Sequence, residues 1–207
     1  MQNARVPGIV QLFFPGMICR IPEKDKKTVY LTFDDGPIPE ATPMVLDILN
    51  KYNAKATFFC VGDNVRKYPQ LYQRILDEGH AVGNHTFNHT DGWKTKLKEY
   101  IENTEKCAEL VSSPLFRPPY GRIKIGQYNK LQEKYKIVMW DVLTRDYDAD
   151  FSVSDCFSIV EKNIREGSIL VFHDSIKAKD KLSQLLPQTL EFIASEGYAP
   201  KPISVPI

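Results

Sequence analysis

Short apolar strands alternating with amphipathic helices predict a parallel α/β fold for this chain. Three observations lead there. Strand-like and helical stretches alternate six or seven times between Thr28 and Val205. The strand candidates are apolar almost throughout, as expected when helices cover both faces of a sheet. No linker, repeat or low-complexity tract interrupts the span, so one domain with a sizeable core is expected from the 207 residues.

The elements follow in order. Residues 1–27 read as an irregular lead-in broken by Pro7, Pro15, Gly16 and Pro22 and ending in the charged run 23–27. Within it, Leu12, Phe13, Phe14, Met17 and Ile18 suit a plug packed on one end of the core. Thr28–Asp34 alternates with period two and is stopped by Gly36 and Pro37, which marks a strand. Residues 39–52 carry the helical stripe Val45, Leu46, Ile48 and Leu49, with Thr42 as N-cap and Pro43 at the first helical position. A strand over 56–62 precedes a helical stretch ending at Glu78 and Gly79. Then come a strand at 81–86, a helix at 94–111, an extended piece at 115–120 and a helix at 125–135. A strand over 136–142, a helix at 153–165, a strand at 168–173 and a helix at 182–195 follow, with a short strand at 202–205.

Composition narrows the function classes. The net charge of +1 offers no field for nucleic acid or an anionic membrane, and 43% hydrophobic with 26% charged residues is ordinary for a globular domain. No apolar run approaches the ~20 residues that a bilayer-spanning helix needs. Cys19, Cys60, Cys107 and Cys156 form no C-x-x-C pair and read as small core residues in a reducing compartment. The start lacks the basic region and small-residue cleavage site of an export signal, so a cytoplasmic location is the default and the cell envelope the alternative.

Chemistry-bearing residues gather after strand ends. Asp34 and Asp35 follow the first strand, His85 and His89 the third. Arg117 and Tyr120 lie in the fourth piece, Asp141 and Asp146 after the fifth strand, His173 and Asp174 at the sixth. In parallel α/β folds these ends share one face, where sites form. Adjacent carboxylates repel and become useful around a cation. His85 and His89, on a single helical turn, can face one ion, and two histidines with a carboxylate make an open divalent site. The prolines of RPPYG fix a backbone that can aim an N–H at developing negative charge, and Arg117 can hold a carboxylate. His173 suits acid/base work. His80, at the wrong strand end, reads as a structural hydrogen-bonding residue, and Trp140 as core. Which aspartate meets the ion stays open on the residues alone.

In order, TFDDGP, HTFNH, RPPYG, WDVLTRDYD and ILVFHD resemble the five motifs of the polysaccharide deacetylases, carbohydrate esterase family 4 with its NodB-type homology domain. The resemblance spans about residues 28–200. It implies a distorted (β/α) barrel of about seven parallel strands, with 28–207 as catalytic domain and 1–27 packed on the barrel. It implies metal-dependent removal of N-acetyl groups from N-acetylglucosamine-type glycans. Asp35, His85 and His89 look like the metal ligands, Asp34 like the general base, and Arg117 like its partner. The Tyr120 N–H looks like an oxyanion donor, His173 like the general acid, and Asp146 like its tuning partner. Tyr147 and Val171 match positions lining the acetyl pocket, where many members have Trp and Leu. Here, too, Thr90-Asp91-Gly92 follows the second histidine instead of the usual Pro. Zinc suits the ligand set, with cobalt, nickel or manganese admissible. The competing functions are an O-acetyl esterase on the same scaffold and a catalytically silent carbohydrate-binding relative.

Overall fold

The computed structural model describes residues 5–24 and 26–204. Its centre is β1 (Thr28–Asp34), buried at every position. Parallel neighbours flank it on both sides, β2 (Thr57–Cys60) and β7 (Ile169–His173). Beyond β2 lie β3 (Ala81–Asn84), β4 (Leu115–Phe116) and β5 (Lys136–Ile137); beyond β7 lies β6 (Val142–Leu143). The order β5-β4-β3-β2-β1-β7-β6 is parallel throughout and curls into a half-barrel. A short β8 (Ala199–Pro200) pairs with the start of β1.

Period two divides β1 between two environments. Val29, Leu31 and Phe33 face the helices α2 (Thr42–Lys51), α7 (Val153–Asn163) and α8 (Lys179–Ser195), in a core where Phe33 stacks between Phe58 and Phe172 at 5.0 and 5.6 Å. Tyr30, Thr32 and Asp34 lie on the alternate face, where Tyr30 packs with Phe59, Leu115, Val138 and Ile169. The remaining helices are α1 (Gly8–Phe13), α3 (Gly62–Lys67), α4 (Pro69–Asp77), α5 (Leu97–Ala108) and α6 (Ile125–Leu131).

Several boundaries differ from the sequence reading. The strand expected at 136–142 is two strands at opposite edges of the sheet. Its middle cannot continue a ladder, because the Arg117 guanidinium takes the Val138 and Met139 carbonyls, Nε at 3.2 Å and Nη2 at 2.9 Å. The lead-in enters the gap between the two edges. Ile18 bridges to Val138, its N–H donating to Ile137 O at 2.8 Å, and Ile21 N–H donates to Gly167 O at 2.8 Å. Of the expected plug, Met17 is buried and Phe14 and Ile18 pack inward, but Leu12 and Phe13 are exposed because α1 turns that side outward.

Thr42 is the first helical residue and not a cap: its Oγ1 accepts from Ile38 N–H and donates to Asp174. The helical stretch before Gly79 breaks at Tyr68, ahead of Pro69. The helix expected from 94 begins only at Leu97. The closing strand is Ala199–Pro200; residues 202–204 are irregular, and Val205 lies outside the described residues. Cys60, Cys107 and Cys156 are buried among core side chains, as expected. No helix of the described residues is long and apolar enough to cross a membrane.

Candidate active site

Eight of the expected site residues line one cleft of about 610 Å³ at the C-terminal strand ends: Asp34, Asp35, His85, His89, Tyr120, Tyr147, Val171 and His173. The register explains the convergence. Asp34, the last residue of β1, is paired with His173, the last of β7.

The two aspartates separate at the strand break. Asp34, in the inward set of β1, accepts from Arg117 Nη1 at 2.6 Å. Arg117 is wholly buried, donates also to Thr32 Oγ1 at 2.8 Å, and lies 4.0 Å from the centre of the Phe59 ring. Burial works against the guanidinium's charge, and the adjacent Asp34 carboxylate supports it. Asp35 leaves the strand with φ 84°, in the left-handed region, and so turns away from its neighbour. Its Oδ1 lies 3.1 Å from His89 Nε2 and 3.9 Å from His85 Nε2.

One donor atom each from Asp35, His85 and His89 can be chosen so that all lie within 4.8 Å of one another, the one such group found among the described residues. The donor chemistry fits a divalent cation. His85 Nδ1 faces the Arg117 carbonyl at 2.8 Å, which puts the ring proton there and leaves the Nε2 lone pair toward Asp35. Burial pulls the His85 pKa down to about 4, so the ring is neutral at pH 7, as a ligand must be. Burial raises the Asp35 pKa, but the His89 hydrogen bond and the charge of His173 outweigh it, so the carboxylate is ionised. The two histidines are not on a helical turn, as the H-x3-H spacing suggested. Residues 85–90 form a loop in which Thr86 and His89 both take positive φ, 62° and 53°. The Asn84 side chain fixes it, its Oδ1 accepting from Thr86 N–H and its Nδ2 donating to Thr104 O. Strained backbone at Asp35, Thr86, His89 and Tyr120 thus surrounds the cluster.

The opposite side of the cleft is an imidazole–carboxylate pair. Asp146 is fully buried and accepts twice from His173, from its N–H at 2.7 Å and at Nδ1, 2.8 Å away. Burial pulls the His173 pKa down, but the Asp146 charge and hydrogen bond prevail and hold it at about 9. The ring of Tyr147 meets His173 edge-on at 4.6 Å, and that of Tyr120 meets His89 at 4.5 Å.

A family model described as polysaccharide deacetylase matches residues 22–137. The chain belongs to the polysaccharide deacetylase family. A peptidoglycan-N-acetylglucosamine deacetylase of Bacillus cereus is 36% identical over 84% of this chain and 85% of its own. A chitooligosaccharide deacetylase of Azorhizobium caulinodans is 34% identical over 77% and 79%. The crystal structure of a peptidoglycan N-acetylglucosamine deacetylase in complex with 4-naphthalen-1-yl-N-oxidanyl-benzamide superposes with a TM-score of 0.82 at 32% identity, covering 91% of both chains. Polysaccharide deacetylases are metal-dependent, and this member's Asp35–His85–His89 cluster is a site where an ion can sit.

Two sequence readings are corrected by this deacetylase's structure. Asp141 is not in the cleft: it is held by Arg165 and Ser168 at the other end of β7. Trp140 is not core: it is partly exposed and lines the cleft, because the chain there crosses between sheet edges. His80 is structural as expected, its Nδ1 accepting from Ala56 N–H at 3.1 Å. Sequence reasoning missed Asn64, whose Nδ2 donates to Asp35 O at 2.7 Å; nothing in its helix pattern marks it. It also gave no role to Asp174, fully buried, which accepts from Gly36 N–H at 3.1 Å and Thr42 Oγ1 at 2.5 Å. Burial raises its pKa to about 8. Its adjacency to His173 was the available signal.

Proposed function

We propose that this chain removes N-acetyl groups from glycans of the N-acetylglucosamine type, using zinc held by Asp35, His85 and His89. The observation that carries the reading is the opposition, in one cleft, of a two-histidine, one-carboxylate cluster and a hydrogen-bonded His173–Asp146 pair, with the Asp34–Arg117 ion pair buried alongside. Two nitrogens and one carboxylate oxygen with an open position suit a catalytic zinc.

When bound, such an ion acidifies water and polarises a carbonyl oxygen. Asp34 is the general base. Arg117 donates to one of its oxygens at 2.6 Å and fixes the carboxylate, so the free lone pair receives a proton at a set position. The N–H of Tyr120, in a left-handed turn between prolines and glycine, donates to the oxygen that gains charge as the acetamide carbonyl is attacked. His173 is the general acid. An amine leaves poorly unless protonated, and His173 is charged at neutral pH because Asp146 supports its proton. This demand favours an amide over an ester substrate. Tyr147 and Val171 bound the space for the acetyl methyl.

The test is acetate release from N-acetylglucosamine oligomers, peptidoglycan fragments and O-acetylated xylan, with zinc and with chelator. Zinc-dependent release from the amino sugars is expected. Release from xylan alone would support the esterase, and no release from any substrate would support a silent relative.

A further inference from the structure

Of the three residues in the Asp35–His85–His89 cluster, Asp35 has the least bracing at its side chain. His85 is held by the Arg117 carbonyl, whereas among the described residues only the two histidines make polar contact with the Asp35 carboxylate. Its aim must therefore come from the main chain. The peptide that links Asp35 to Gly36 is gripped at both polar atoms. Asn64 Nδ2 donates to its oxygen, Asp35 O, at 2.7 Å, and its N–H, that of Gly36, donates to Asp174 Oδ1 at 3.1 Å. The two grips come from different parts of the fold, α3 and the residue after β7. Each is anchored in turn. Val61 N–H, at the start of α3, donates to Gly36 O at 2.9 Å. Asp174 N–H donates to Asp34 O at 3.1 Å, and its Oδ2 accepts from Thr42 Oγ1. Successive side chains along a strand point to opposite sides, so His173 lines the cleft while Asp174 is wholly buried against the turn. Two bonds across one peptide fix its plane. They hold Asp35 at a left-handed φ of 84°, which a non-glycine residue keeps only where its surroundings over-determine it.

We propose that Asn64 and Asp174 are positioning residues that aim Asp35 at the ion by clamping the Asp35–Gly36 peptide from both sides. This rests on the reading of Asp35, His85 and His89 as zinc ligands. Both residues act through the main chain of Asp35, one on its carbonyl and one on the next N–H, so losing either frees the peptide plane to turn. A turned plane carries the carboxylate away from His85 and His89. Outer partners of a metal ligand typically govern about 10- to 100-fold in affinity for the ion.

The experiment measures zinc Kd on the full chain by competition with a chromophoric chelator, and the visible spectrum of the cobalt-loaded protein, whose bands respond to ligand geometry. Asn64→Leu removes the donor at a partly exposed position with little change of volume. Asp174→Ala removes the acceptor, and Asp174→Asn keeps an oxygen for Gly36 N–H. Asp141→Asn, at the other end of β7, is the control for lost stability alone. Asn64→Leu and Asp174→Ala are each expected to weaken zinc about 10- to 100-fold and to change the cobalt spectrum. Asp174→Asn is expected to restore affinity close to that of the unsubstituted protein, and Asp141→Asn to leave affinity and spectrum unchanged whatever its Tm. Asn64→Leu keeps the test valid if Asp174→Ala does not fold. Unchanged affinity and spectrum in Asn64→Leu, or an equal loss in Asp141→Asn, overturns the positioning role. His89→Ala separates that failure from failure of the zinc reading. If His89→Ala loses zinc while Asn64→Leu binds normally, the zinc site stands and the clamp falls; if His89→Ala binds zinc normally, both fall. Weakened zinc in Asn64→Leu, with no acetate released by the unsubstituted enzyme, supports the clamp and counts against deacetylation.

Discussion

Asp146→Asn isolates the charge that makes His173 an acid. Asparagine keeps the shape but removes the charge, and its one acceptor oxygen can serve only one of the contacts at 2.7 and 2.8 Å. With a pKa of about 9, His173 is about 90% protonated at pH 8. Without Asp146 the opposing burial is no longer outweighed, and the value falls to ~6.5 or below. The protonated fraction at pH 8 then falls to about 3% or less, a loss of at least about 30-fold that shrinks toward the acid end of the range. The assay is kcat/KM for acetate release from pH 5.5 to 9.5, because its alkaline limb reports the acid in the free enzyme. The expected result is an alkaline limb moved to lower pH with near-normal activity on the acid side. A uniform loss at every pH, with the limb in place, would refute the assignment of His173 as acid tuned by Asp146.

Other expectations follow from the same geometry. His89→Ala loses zinc by metal analysis, whereas Asp34→Asn retains zinc and loses at least about 100-fold in kcat; normal turnover in the latter would remove Asp34 as base. Arg117→Met strands a buried carboxylate and the Val138 and Met139 carbonyls. A cost of about 3–5 kcal/mol is expected, which lowers Tm by on the order of 10 °C in calorimetry; an unchanged Tm would contradict its bracing role. In Gly36→Ala the new Cβ would lie 1.9 Å from Asp174 Oδ2. The Asp35 loop must then shift, at more than about 2 kcal/mol by denaturant titration; wild-type stability and zinc affinity would show the contact to be dispensable. His173, with its raised pKa, adds stability fully present below pH ~6.5 and lost as pH rises through about 9. Melts of zinc-free protein across that range should therefore lose this contribution on the alkaline side, and Asp146→Asn should abolish the loss.

Much was legible in the sequence because it is written locally. Period two in Thr28–Asp34 marks a buried strand, and Gly36-Pro37 ends it, so a pair of carboxylates at a strand tip needs no distant information. The strand–helix alternation fixed the parallel class, and with it the gathering of Asp34, His85, Arg117 and His173 at one face. Three things required the tertiary structure. The division of labour between Asp34 and Asp35 depends on φ 84° at Asp35 and on Arg117, 83 positions away in the chain. The loop form of His85–His89 depends on the Asn84 and Asn103 side chains holding its N–H groups, where spacing alone allowed a helical turn. The splitting of residues 136–143, which removes Asp141 from the site and brings Trp140 into it, depends on Arg117 taking carbonyls that a strand would have used. Short-range pattern encodes which elements form; long-range pairing of buried polar groups decides how their ends are turned, because each must find a partner wherever the fold supplies one.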